Sequence, residues 1–449
     1  DGYGLSDSSV QSILDQGGQL IITVDCGIKD VGRVKEYVAG GLEFVITDHH
    51  TLPEDSDGKR FVSEEALSVV HPRYPGHEYP FPDICGTTVA WKLCQAIAAE
   101  SGLDDKLEEY LDLVALATAC DVMPLVDENR IIVAHGLDHL RSTDKLGLQQ
   151  LVTIAGHSLP DIDTYHLGYV IGPRLNAAGR LESALDSLRL LTTTSHRQAA
   201  DLAGKLQSLN LQRQEMTQSL LDEAEAQIAE MPVDQRLFLV HGEGWPEGIV
   251  GLVAGKLAEK YSRPVLVASQ SGDELVGSAR GPESFHLADS LRKLTHLLTR
   301  HGGHAQAAGF GIKADKLGQF TDEITALAKT KLGKGKLEPK LDIDLLTDLE
   351  LVSLAELENL QAFGPFGFGN PRPIWAFLGL QVLSAKAIGK QQQHLKFTLA
   401  NEKGQTISAL AFRAKPEWRE FVPGEVVDVA GDVNINEWNG RKEIQLIVK

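Results

Sequence analysis

Cysteine is scarce in this chain, and long apolar runs are absent from it. The 449 residues include four cysteines, Cys26, Cys85, Cys94 and Cys120, and no Cys-x-x-Cys pair. This spacing excludes a zinc knuckle and a disulfide framework, and it favours a reducing compartment. No apolar stretch approaches the roughly 20 residues that a membrane-spanning helix requires. We therefore expect a cytoplasmic protein without a membrane partner.

Basic side chains are also few. The chain has 43 Lys and Arg against 62 Asp and Glu, which gives a formal net charge of −19. Nucleic-acid phosphates are bound chiefly by clustered Lys and Arg, so composition alone argues against such a ligand. Carboxylates can also hold divalent cations, whose charge this count omits, and net charge says little about a single cleft. Composition therefore leaves the ligand open.

The length of the chain predicts two or three domains, because a single core seldom organises more than about 300 residues. Apolar residues make up 43% and charged residues 23% of the sequence, which is the balance of an ordinary globular protein. The first residue is Asp1 rather than methionine. We expect the chain to be a piece of a longer protein.

The first part of the sequence alternates short β-branched runs with amphipathic stretches. Residues 20–24 and 44–47 have the composition of buried strands, and residues 30–38 between them have that of a helix. This order predicts a βαβ unit, whose crossover makes the two strands parallel neighbours. A strong helical pattern over residues 106–120 follows and ends before Pro124.

The rest of the chain changes character twice. A helical pattern with few breakers extends from 196 to 230, and a second α/β region opens at residue 236. After residue 340, five short strands with turn signals between them indicate a small closed barrel such as an OB-fold. We predict an α/β protein in four parts. They are a parallel-sheet domain at 1–150, a region around a long connecting helix at 151–230, a smaller α/β domain at 231–332 and a C-terminal OB-fold β-barrel at 338–449.

Acidic side chains follow both of the first two predicted strands. Asp25 follows one strand, and the Asp48-His49-His50 triplet follows the next. Because the carboxyl ends of parallel strands meet at one edge of a sheet, we expect Asp25 and His49 to converge. Asp121, which follows an apolar helix, is a third oxygen donor for the same crevice. Mixed Asp and His ligands suit Mn²⁺, or Mg²⁺ with fewer imidazoles.

Each of these residues also has an ordinary structural interpretation. An Asp after a strand or helix is more often a turn or cap residue, and an isolated His more often belongs to the core or surface. For Asp25 or Asp121 alone, that interpretation is favoured. For the Asp48-His49-His50 triplet at the end of a buried strand, a metal site is favoured.

Three segments together resemble successive motifs of the DHH phosphoesterase family. They are Val24-Asp25-Cys26-Gly27, Asp48-His49-His50 and residues 120–125, in that order along the chain. The resemblance implies that Asp25 bridges two metal ions, Mn²⁺ or Mg²⁺, and that His49 and Asp121 are further ligands. It also implies that His50 lies close to the substrate phosphate and that Asp48 orients its neighbours.

Three further segments, 172–180, 277–280 and 302–309, resemble motifs of the RecJ branch of that family. The first resembles a loop beside the DNA path, for which a helix-end loop with a surface ion pair is the plain alternative. The second resembles the part of the associated domain that grips the 5′ end of the substrate. The third resembles a glycine-rich substrate-binding loop. The residues that the resemblance places at nucleic acid are Arg174, Asn176, Arg180, Ser278, Arg280, Gly303 and His304.

The C-terminal part adds a fourth likeness. Residues 364–371, Gly-Pro-Phe-Gly-Phe-Gly-Asn-Pro, and the barrel after them resemble the OB-fold of the same branch. OB-folds stack single-stranded bases on aromatic side chains over a charged groove. Phe397, Phe412 and Trp438 are candidates for stacking, although each is more often a core residue.

The resemblance covers nearly the whole chain and implies a 5′→3′ exonuclease specific for single-stranded DNA, acting with two metal ions in recombination and repair. Single-stranded DNA is the expected partner, with a helicase and a single-strand-binding protein as further ones. A DHH phosphodiesterase for short oligonucleotides or cyclic dinucleotides is an alternative that the C-terminal barrel disfavours. A catalytically dead single-strand-binding scaffold is another, which the retained Asp25, His49, His50 and Asp121 disfavour.

One family motif has no counterpart in this sequence. DHH enzymes carry an earlier Asp-x-Asp-x-Asp-Gly-type motif that supplies ligands to both metals, and Asp7, Asp15 and Asp30 do not form it. The remaining ligands suit one ion, held weakly. We expect this stretch to be inactive by itself, and we expect its sheet to expose an edge or an apolar face.

Overall fold

The chain folds into two compact units in a computed structural model. The structure describes residues 4–77, 79–103, 106–333, 335, 337, 339–389, 391–438 and 440–449. One unit comprises Asp1–Asp144, Gly156–Gly172 and Leu341–Lys449, and the other comprises Lys145–Ala155 and Pro173–Lys340. The domain limits stated above remain predictions.

A three-stranded parallel sheet begins the first unit, in the order β1-β2-β3. The strands β1 and β2 pair from Leu20 opposite Glu43 to Val24 opposite Thr47, so they end level with each other. This confirms the predicted βαβ unit. The helices and strands here are α1 (Asp7–Asp15), β1 (Leu20–Val24), α2 (Val31–Ala39), β2 (Glu43–Thr47), β3 (Ser68–Val70), α3 (Gly86–Ser101), α4 (Leu111–Cys120) and α5 (Asp127–Arg141).

The strand β1 lies at the edge of this sheet and has two unlike faces. Its residues Leu20, Ile22 and Val24 are 44%, 54% and 50% exposed, while Ile21 between them belongs to the core. Phe44 and other apolar residues of β2 and α2 form that core on the opposite side. The described sheet therefore has an apolar edge strand, as the sequence leads us to expect.

The second unit contains a long helix and a five-stranded sheet. The long helix α9 has 34 residues and matches the helix predicted over 196–230. The sheet has the order β4-β5-β6-β8-β7, with β4 and β5 parallel and the other pairs antiparallel. Its helices and strands are α6 (Leu146–Ile154), α7 (Gly172–Leu181), α8 (Leu185–Thr192), α9 (His196–Ala229), β4 (Phe238–Glu243), α10 (Glu247–Tyr261), β5 (Val265–Ser271), β6 (Glu274–Arg280), α11 (Leu287–Arg292), β7 (Leu298–Gly303), β8 (Ala307–Lys313) and α12 (Leu317–Leu332).

Two segments expected to be loops are regular structure. Residues 172–180 lie in α7, because Ala177 and Ala178 favour helix and a proline is tolerated near a helix start. Gly302 and Gly303 end the strand β7, where they pair with Gly309 and Ala308 of β8. Gly303 has φ 137°, and a Cβ atom there would lie 2.5 Å from the backbone of β8, so the pairing requires glycine.

The C-terminal part of the first unit is a closed five-stranded barrel. Strand β10 pairs with both β11 and β13, and the order β11-β12-β14-β13-β10 closes the ring. Its core contains Phe377, Val382, Leu399 and Leu446. The OB-type barrel predicted from the sequence is confirmed. The helices and strands are β9 (Leu345–Leu346), α13 (Leu354–Gln361), β10 (Ile374–Ile388), β11 (His394–Ala400), β12 (Thr406–Ala411), β13 (Val426–Trp438) and β14 (Arg441–Val448).

Cys26, Cys85, Cys94 and Cys120 are all free thiols. Among the residues that the structure describes, no helix is both long enough and apolar enough to span a bilayer.

Candidate functional site

Three of the side chains singled out in the sequence meet at the carboxyl end of the parallel sheet. The Nε2 atom of His49 lies 3.2 Å from Oδ1 of Asp25 and 3.4 Å from Oδ2 of Asp121. The His49 side chain is 12% exposed, whereas the carboxylates of Asp25 and Asp121 are 47% and 44% exposed. We call these three residues the candidate metal site. It opens to solvent on its carboxylate side.

Backbone geometry directs Asp25 into this position. Its N–H donates to the carbonyl of Thr47 at 3.0 Å, which extends the β1–β2 pairing by one residue. Asp25 then turns with φ 65°, a left-handed conformation that costs a non-glycine residue about 1–3 kcal/mol. Such strain at the end of a strand is typical of sites where a side chain has to be aimed.

Asp48 is buried and supports the two histidines after it. Its Oδ1 atom accepts hydrogen bonds from the backbone N–H groups of His49 and His50 at 2.7 and 3.1 Å and lies 2.7 Å from Nδ1 of His50. Its Oδ2 atom accepts from the N–H of Ile28 at 3.0 Å. Burial alone would raise the pKa of Asp48, but hydrogen bonds from His50 and Ile28 lower it to about 2. Asp48 therefore holds the imidazole of His50 directly, and it holds His49 through the backbone N–H group.

The ligand atoms of the candidate metal site, together with those of the neighbouring His50, fit a divalent cation. One ligand atom each from Asp25, His49 and His50 lies within 4.8 Å of the others. Burial alone would lower the pKa of His49, but hydrogen bonding to Asp25 and the charge of Asp121 raise it. Burial raises the pKa of Asp121, and the nearby Asp25 adds to that effect. Carboxylate oxygens with imidazole nitrogen are a set that Mn²⁺ accepts, and a cation here would offset the two acids.

Four arginines of the second unit form another charged group, which we call the arginine cluster: Arg174, Arg180, Arg213 and Arg280. Burial lowers the pKa of each one. Arg180 and Arg174 lower the pKa of Arg213 further, and Arg180 does the same to Arg280. Among the described residues, Arg180, Arg213 and Arg280 have no carboxylate ion pair. Like charges gathered in this way favour a bound anion, and guanidinium groups suit phosphate.

Glycines of α10 allow close approach to this cluster. The Nη1 atom of Arg180 donates to the carbonyl of Gly248 at 2.9 Å, and a Cβ atom at Gly248 would lie 2.9 Å from the carbonyl oxygen of Arg180. Arg280 donates to Oγ of Ser278 at 2.8 Å. A Cβ atom at Gly251 would lie 3.1 Å from the same hydroxyl. The sequence-predicted pair Ser278 and Arg280 thus lies beside Arg180.

The other residues expected at nucleic acid occupy exposed positions. Asn176 and His304 are both exposed to solvent. The N–H of His304 donates to the carbonyl of Ala307 at 2.7 Å, so His304 follows Gly303 in a tight hairpin turn between β7 and β8. The fold places these residues at the surface of the second unit.

Sequence reasoning missed Arg213 as a member of the cluster. It lies within the long helix α9, where its Nη2 atom donates to Oδ1 of Asn210 at 3.0 Å. Three residues before Asn210 on the same helix, Gln207 accepts a hydrogen bond from Nε of Arg174 at 2.8 Å. No motif surrounds Arg213, and a single basic residue on a helix usually belongs to a solvated face. Only packing of α9 against the neighbouring elements reveals it.

Models of known protein families match three stretches of the chain. The DHH family, N-terminal domain, matches residues 4–118, the DHHA1 domain matches residues 234–330, and the RecJ OB domain matches residues 343–449. These matches follow the same order as the parallel sheet, the second α/β region and the barrel.

Two curated relatives resemble the chain along all of its length. It is 35% identical over 452 residues to the single-stranded-DNA-specific exonuclease RecJ of Bacillus subtilis (strain 168), of which it covers 56%. It is 31% identical over 473 residues to the protein of that name from Dickeya dadantii (strain 3937), of which it covers 80%. The chain thus spans little more than half of the first relative and four fifths of the second.

Solved structures show the same fold with metal bound. The crystal structure of RecJ in complex with Mn²⁺ from Thermus thermophilus matches with a TM-score of 0.80 and 29% identity, over 98% of this chain and 62% of that one. The Mg²⁺ complex from the same organism matches with a TM-score of 0.76 and 28% identity, over 98% and 64% of the two chains. From its three family models in order and its full-length likeness to these relatives, the chain belongs to the RecJ family.

Proposed function

We propose that this chain acts in metal-dependent hydrolysis of single-stranded DNA, as an exonuclease that proceeds from the 5′ end towards the 3′ end. The observation that carries the proposal is the convergence of Asp25, His49 and Asp121, with Nε2 of His49 within 3.2 and 3.4 Å of the two carboxylates. The activity for which the relatives are named supports the choice of substrate.

Each residue of the site has a proposed role in that reaction. Asp25, His49 and Asp121 hold Mn²⁺ or Mg²⁺, and Asp48 keeps His49 and His50 in position. When bound, two such ions supply Lewis acidity towards the scissile phosphate and lower the pKa of water. His50, hydrogen-bonded to Asp48, contacts the substrate phosphate. The His49 side chain is largely buried, which restricts its movement and keeps its Nε2 atom beside the two carboxylates.

The second unit supplies the proposed contacts to the DNA strand. Arg280 and Ser278, with Arg180 beside them, bind the phosphate at the 5′ end, because guanidinium and hydroxyl donors match its oxygens. The remaining proposed contacts are to the backbone of the strand. They come from Arg174, Asn176, Gly303 and His304, and from Arg213 of the arginine cluster.

Degradation of labelled oligonucleotides tests the activity. A longer protein that includes this chain, supplied with Mn²⁺, should release nucleotides from the 5′ end of a single strand and leave a duplex intact. The variant Asp25→Ala should lose both this activity and the binding of Mn²⁺, measured by calorimetry. Equal hydrolysis of a two-nucleotide substrate and a long strand would favour a short-oligonucleotide phosphodiesterase instead. Strand binding with no metal-dependent hydrolysis would favour a scaffold.

Ligand count sets an expectation for residues 1–449 alone. The described cluster offers Asp25, His49 and Asp121, with His50 nearby, and two ions need more ligands than these. We propose that this stretch binds one ion weakly and is inactive without further ligands. Robust degradation of single strands by residues 1–449 would show that the three residues suffice.

The cellular role is proposed from the reaction. An enzyme that removes one strand from its 5′ end exposes the other, which suits recombination and repair in the cytoplasm. Such an enzyme needs separated strands, so a helicase and a single-strand-binding protein are proposed partners. Co-purification of either protein with the complete enzyme, and faster degradation of a duplex in the presence of the helicase, would support this.

A further inference from the structure

Asn129 is a wholly buried polar residue in the first turn of α5, with an exposed fraction of 0%. Its Nδ2 atom donates to two backbone carbonyl groups, that of Asp83 at 2.6 Å and that of Pro124 at 3.1 Å. The two acceptors belong to different loops of the first unit. The side chain of Asn129 therefore links both loops to one helix.

The two acceptors determine which way the amide of Asn129 points. A carbonyl group can only accept, so both hydrogen atoms on Nδ2 are used and Oδ1 points away. Among the described residues, that buried Oδ1 atom has no hydrogen-bond partner. An unpaired buried acceptor destabilises a fold, and asparagine is a poor helix former. What this residue contributes is the pair of hydrogen bonds that it donates.

The first of these loops leads to Asp25. Asp83 lies two residues before Cys85, which is the N-cap of α3, and Gly86 begins that helix. A Cβ atom on Gly86 would lie 2.2 Å from Oδ1 of Asp25, so the start of α3 packs directly against the carboxylate. The side chain of Asp83 has another partner, because it forms an ion pair with Arg73. Only the backbone of Asp83 takes part in the link to α5.

The second loop follows Asp121. The helix α4 ends at the residue before it, and Val122 then turns the chain with φ 54°. This left-handed conformation is strained for a β-branched residue and persists only where the surroundings hold it. Two residues later, the carbonyl of Pro124 accepts from Asn129. The turn that directs Asp121 is thus fixed by α4 before it and by Asn129 after it.

The helix α5 has other contacts that hold it in place. Glu128, the neighbour of Asn129, pairs with Nζ of Lys92 on α3 at 2.5 Å and accepts from the hydroxyl of Tyr79 at 2.7 Å. Ile132, further along the same helix, is buried in an apolar cluster. Loss of the Asn129 amide should therefore release the two loops and leave the helix packed.

We propose that Asn129 is a positioning residue for the candidate metal site. Its amide holds the loop before Gly86 and the loop after Asp121 in place, which keeps Asp25 and Asp121 beside His49. Asn129 is buried and acts only through these carboxylates. The inference rests on the proposed function, because it concerns the cation that the three ligands would hold. Loss of a group that supports a metal ligand typically lowers metal affinity by about 10- to 100-fold.

Calorimetric titration with Mn²⁺ tests this role in the longer protein that includes this chain. Asn129→Leu keeps the branched shape of the side chain and removes both donors, so it should weaken Mn²⁺ binding by about 10- to 100-fold. The control Ile132→Ala removes apolar contacts from the same helix. It should lower the urea midpoint of unfolding and leave the Mn²⁺ affinity unchanged. A second control, Asp83→Asn, changes the side chain but keeps the carbonyl acceptor, and its Mn²⁺ affinity should also be unchanged.

A second variant separates positioning from simple electrostatics. Asn129→Asp keeps the shape of the side chain but sets carboxylate oxygens against the carbonyl groups of Asp83 and Pro124. An added negative charge by itself strengthens the binding of a cation, whereas displacement of the two loops weakens it. We expect weaker Mn²⁺ binding. Circular dichroism and urea unfolding show whether each variant is folded, and either variant suffices if the other does not fold.

The outcomes distinguish this role from the proposed function. If a folded Asn129→Leu or Asn129→Asp binds Mn²⁺ as tightly as the unmodified protein, Asn129 is not a positioning residue and the exonuclease proposal stands. Equal loss of affinity in Ile132→Ala would have the same meaning. If Mn²⁺ affinity depends on Asn129 but the protein does not hydrolyse single strands, the positioning role stands and the proposed function is wrong. If the unmodified protein binds no Mn²⁺, both are wrong.

Discussion

Gly86 and Asp25 are so close that no larger side chain fits at position 86. A Cβ atom on Gly86 would lie 2.5 Å from Cβ of Asp25 and would overlap its carboxylate. Gly86 is the first residue of α3, so the Asp25 carboxylate lies at the N-terminal end of that helix. A negative charge is favoured there by the helix dipole. The position of a proposed metal ligand thus depends on a glycine far away in sequence.

The variant Gly86→Ala should displace Asp25 and weaken Mn²⁺ binding by about 10- to 100-fold, the range seen when groups supporting a ligand are changed. Calorimetric titration with Mn²⁺ measures the effect. The control is Gly32→Ala in α2, where a Cβ atom would meet nothing within 4 Å. That control should keep its metal affinity and gain about 0.5–1 kcal/mol of stability. Equal metal affinity in both variants would contradict the dependence of Asp25 on Gly86.

The variant Asp48→Asn should destabilise the fold by about 1–3 kcal/mol, because a buried amide cannot accept all the hydrogen bonds that the carboxylate accepts. Asp48 is 1% exposed and accepts from the N–H groups of Ile28, His49 and His50. Urea unfolding measures the change. The exposed Asp57→Asn is the control and should stay within about 0.5 kcal/mol of the unmodified chain. If Asp48→Asn left the free energy of unfolding unchanged, the carboxylate of Asp48 would not be what holds the Asp48-His49-His50 triplet in place.

The variant Arg213→Met should separate binding from stability. Removing one charge from the arginine cluster relieves repulsion, so the free energy of unfolding should stay the same or rise. Affinity for single-stranded DNA should fall by about tenfold or more, since a hydrogen bond to a charged group contributes about 1.5–3 kcal/mol. Anisotropy and urea unfolding give the two quantities.

The control for Arg213 is Arg197→Met on the same helix. The Arg197 side chain is 94% exposed and lies 3.9 Å from Asp201. An exposed pair of this kind contributes little, so both stability and binding should be unchanged. Equal loss of DNA affinity in the two variants would indicate a general charge effect and would remove Arg213 from the site.

The variant Gly369→Ala should destabilise the chain more than Gly379→Ala. Both glycines have positive φ, 76° and 65°, so both substitutions carry the same kind of backbone strain. A Cβ atom on Gly369 would also lie 2.8 Å from Pro124, whereas one on Gly379 would meet nothing within 4 Å. We expect a difference of about 1–3 kcal/mol, the usual cost of overpacking. Urea unfolding of the two variants measures it.

The affinity for Mn²⁺ is a second quantity by which Gly369→Ala and Gly379→Ala can be compared. Pro124 is three residues beyond Asp121, and the N–H of Leu125 donates to the carbonyl of Phe368 at 2.6 Å. Displacing this turn should therefore weaken Mn²⁺ binding in Gly369→Ala and not in Gly379→Ala. Equal stability and equal metal affinity in both variants would contradict a link between the glycine-rich segment and the turn after Asp121.

Periodicity and turn signals predicted most of the architecture. The strands over 20–24 and 44–47 are correct because β-branched runs of that length suit buried parallel strands. The long helix of 196–229 is correct because it contains no proline and only one glycine, Gly204. Residues 172–180 were expected to be a loop and are a helix. A motif that is recognised by its substrate-binding residues does not predict the secondary structure of its segment.

The residues of the candidate site could likewise be predicted from the sequence only in part. Asp25 and His49 could be paired from the sequence, because parallel strands joined by a crossover end at one edge. The side chain of Trp438, named for base stacking, lies outside the described residues. Phe397 and Phe412 look alike in sequence, yet Phe397 faces the barrel core from β11, and Phe412 is exposed in the turn that follows β12.

By itself, the sequence determined the order of elements, the residue types available for a metal and the likeness to a family, because these depend on local pattern and on motifs read along the chain. The tertiary structure decided which distant residues share a position. Gly86 against Asp25, Arg213 among the other arginines and Lys386 opposite Lys396 each join segments whose contact depends on packing and strand register. None of these contacts can be predicted from a local spacing in the sequence. For the strand pair, a shift of one residue in register would turn every side chain of a strand to the other face.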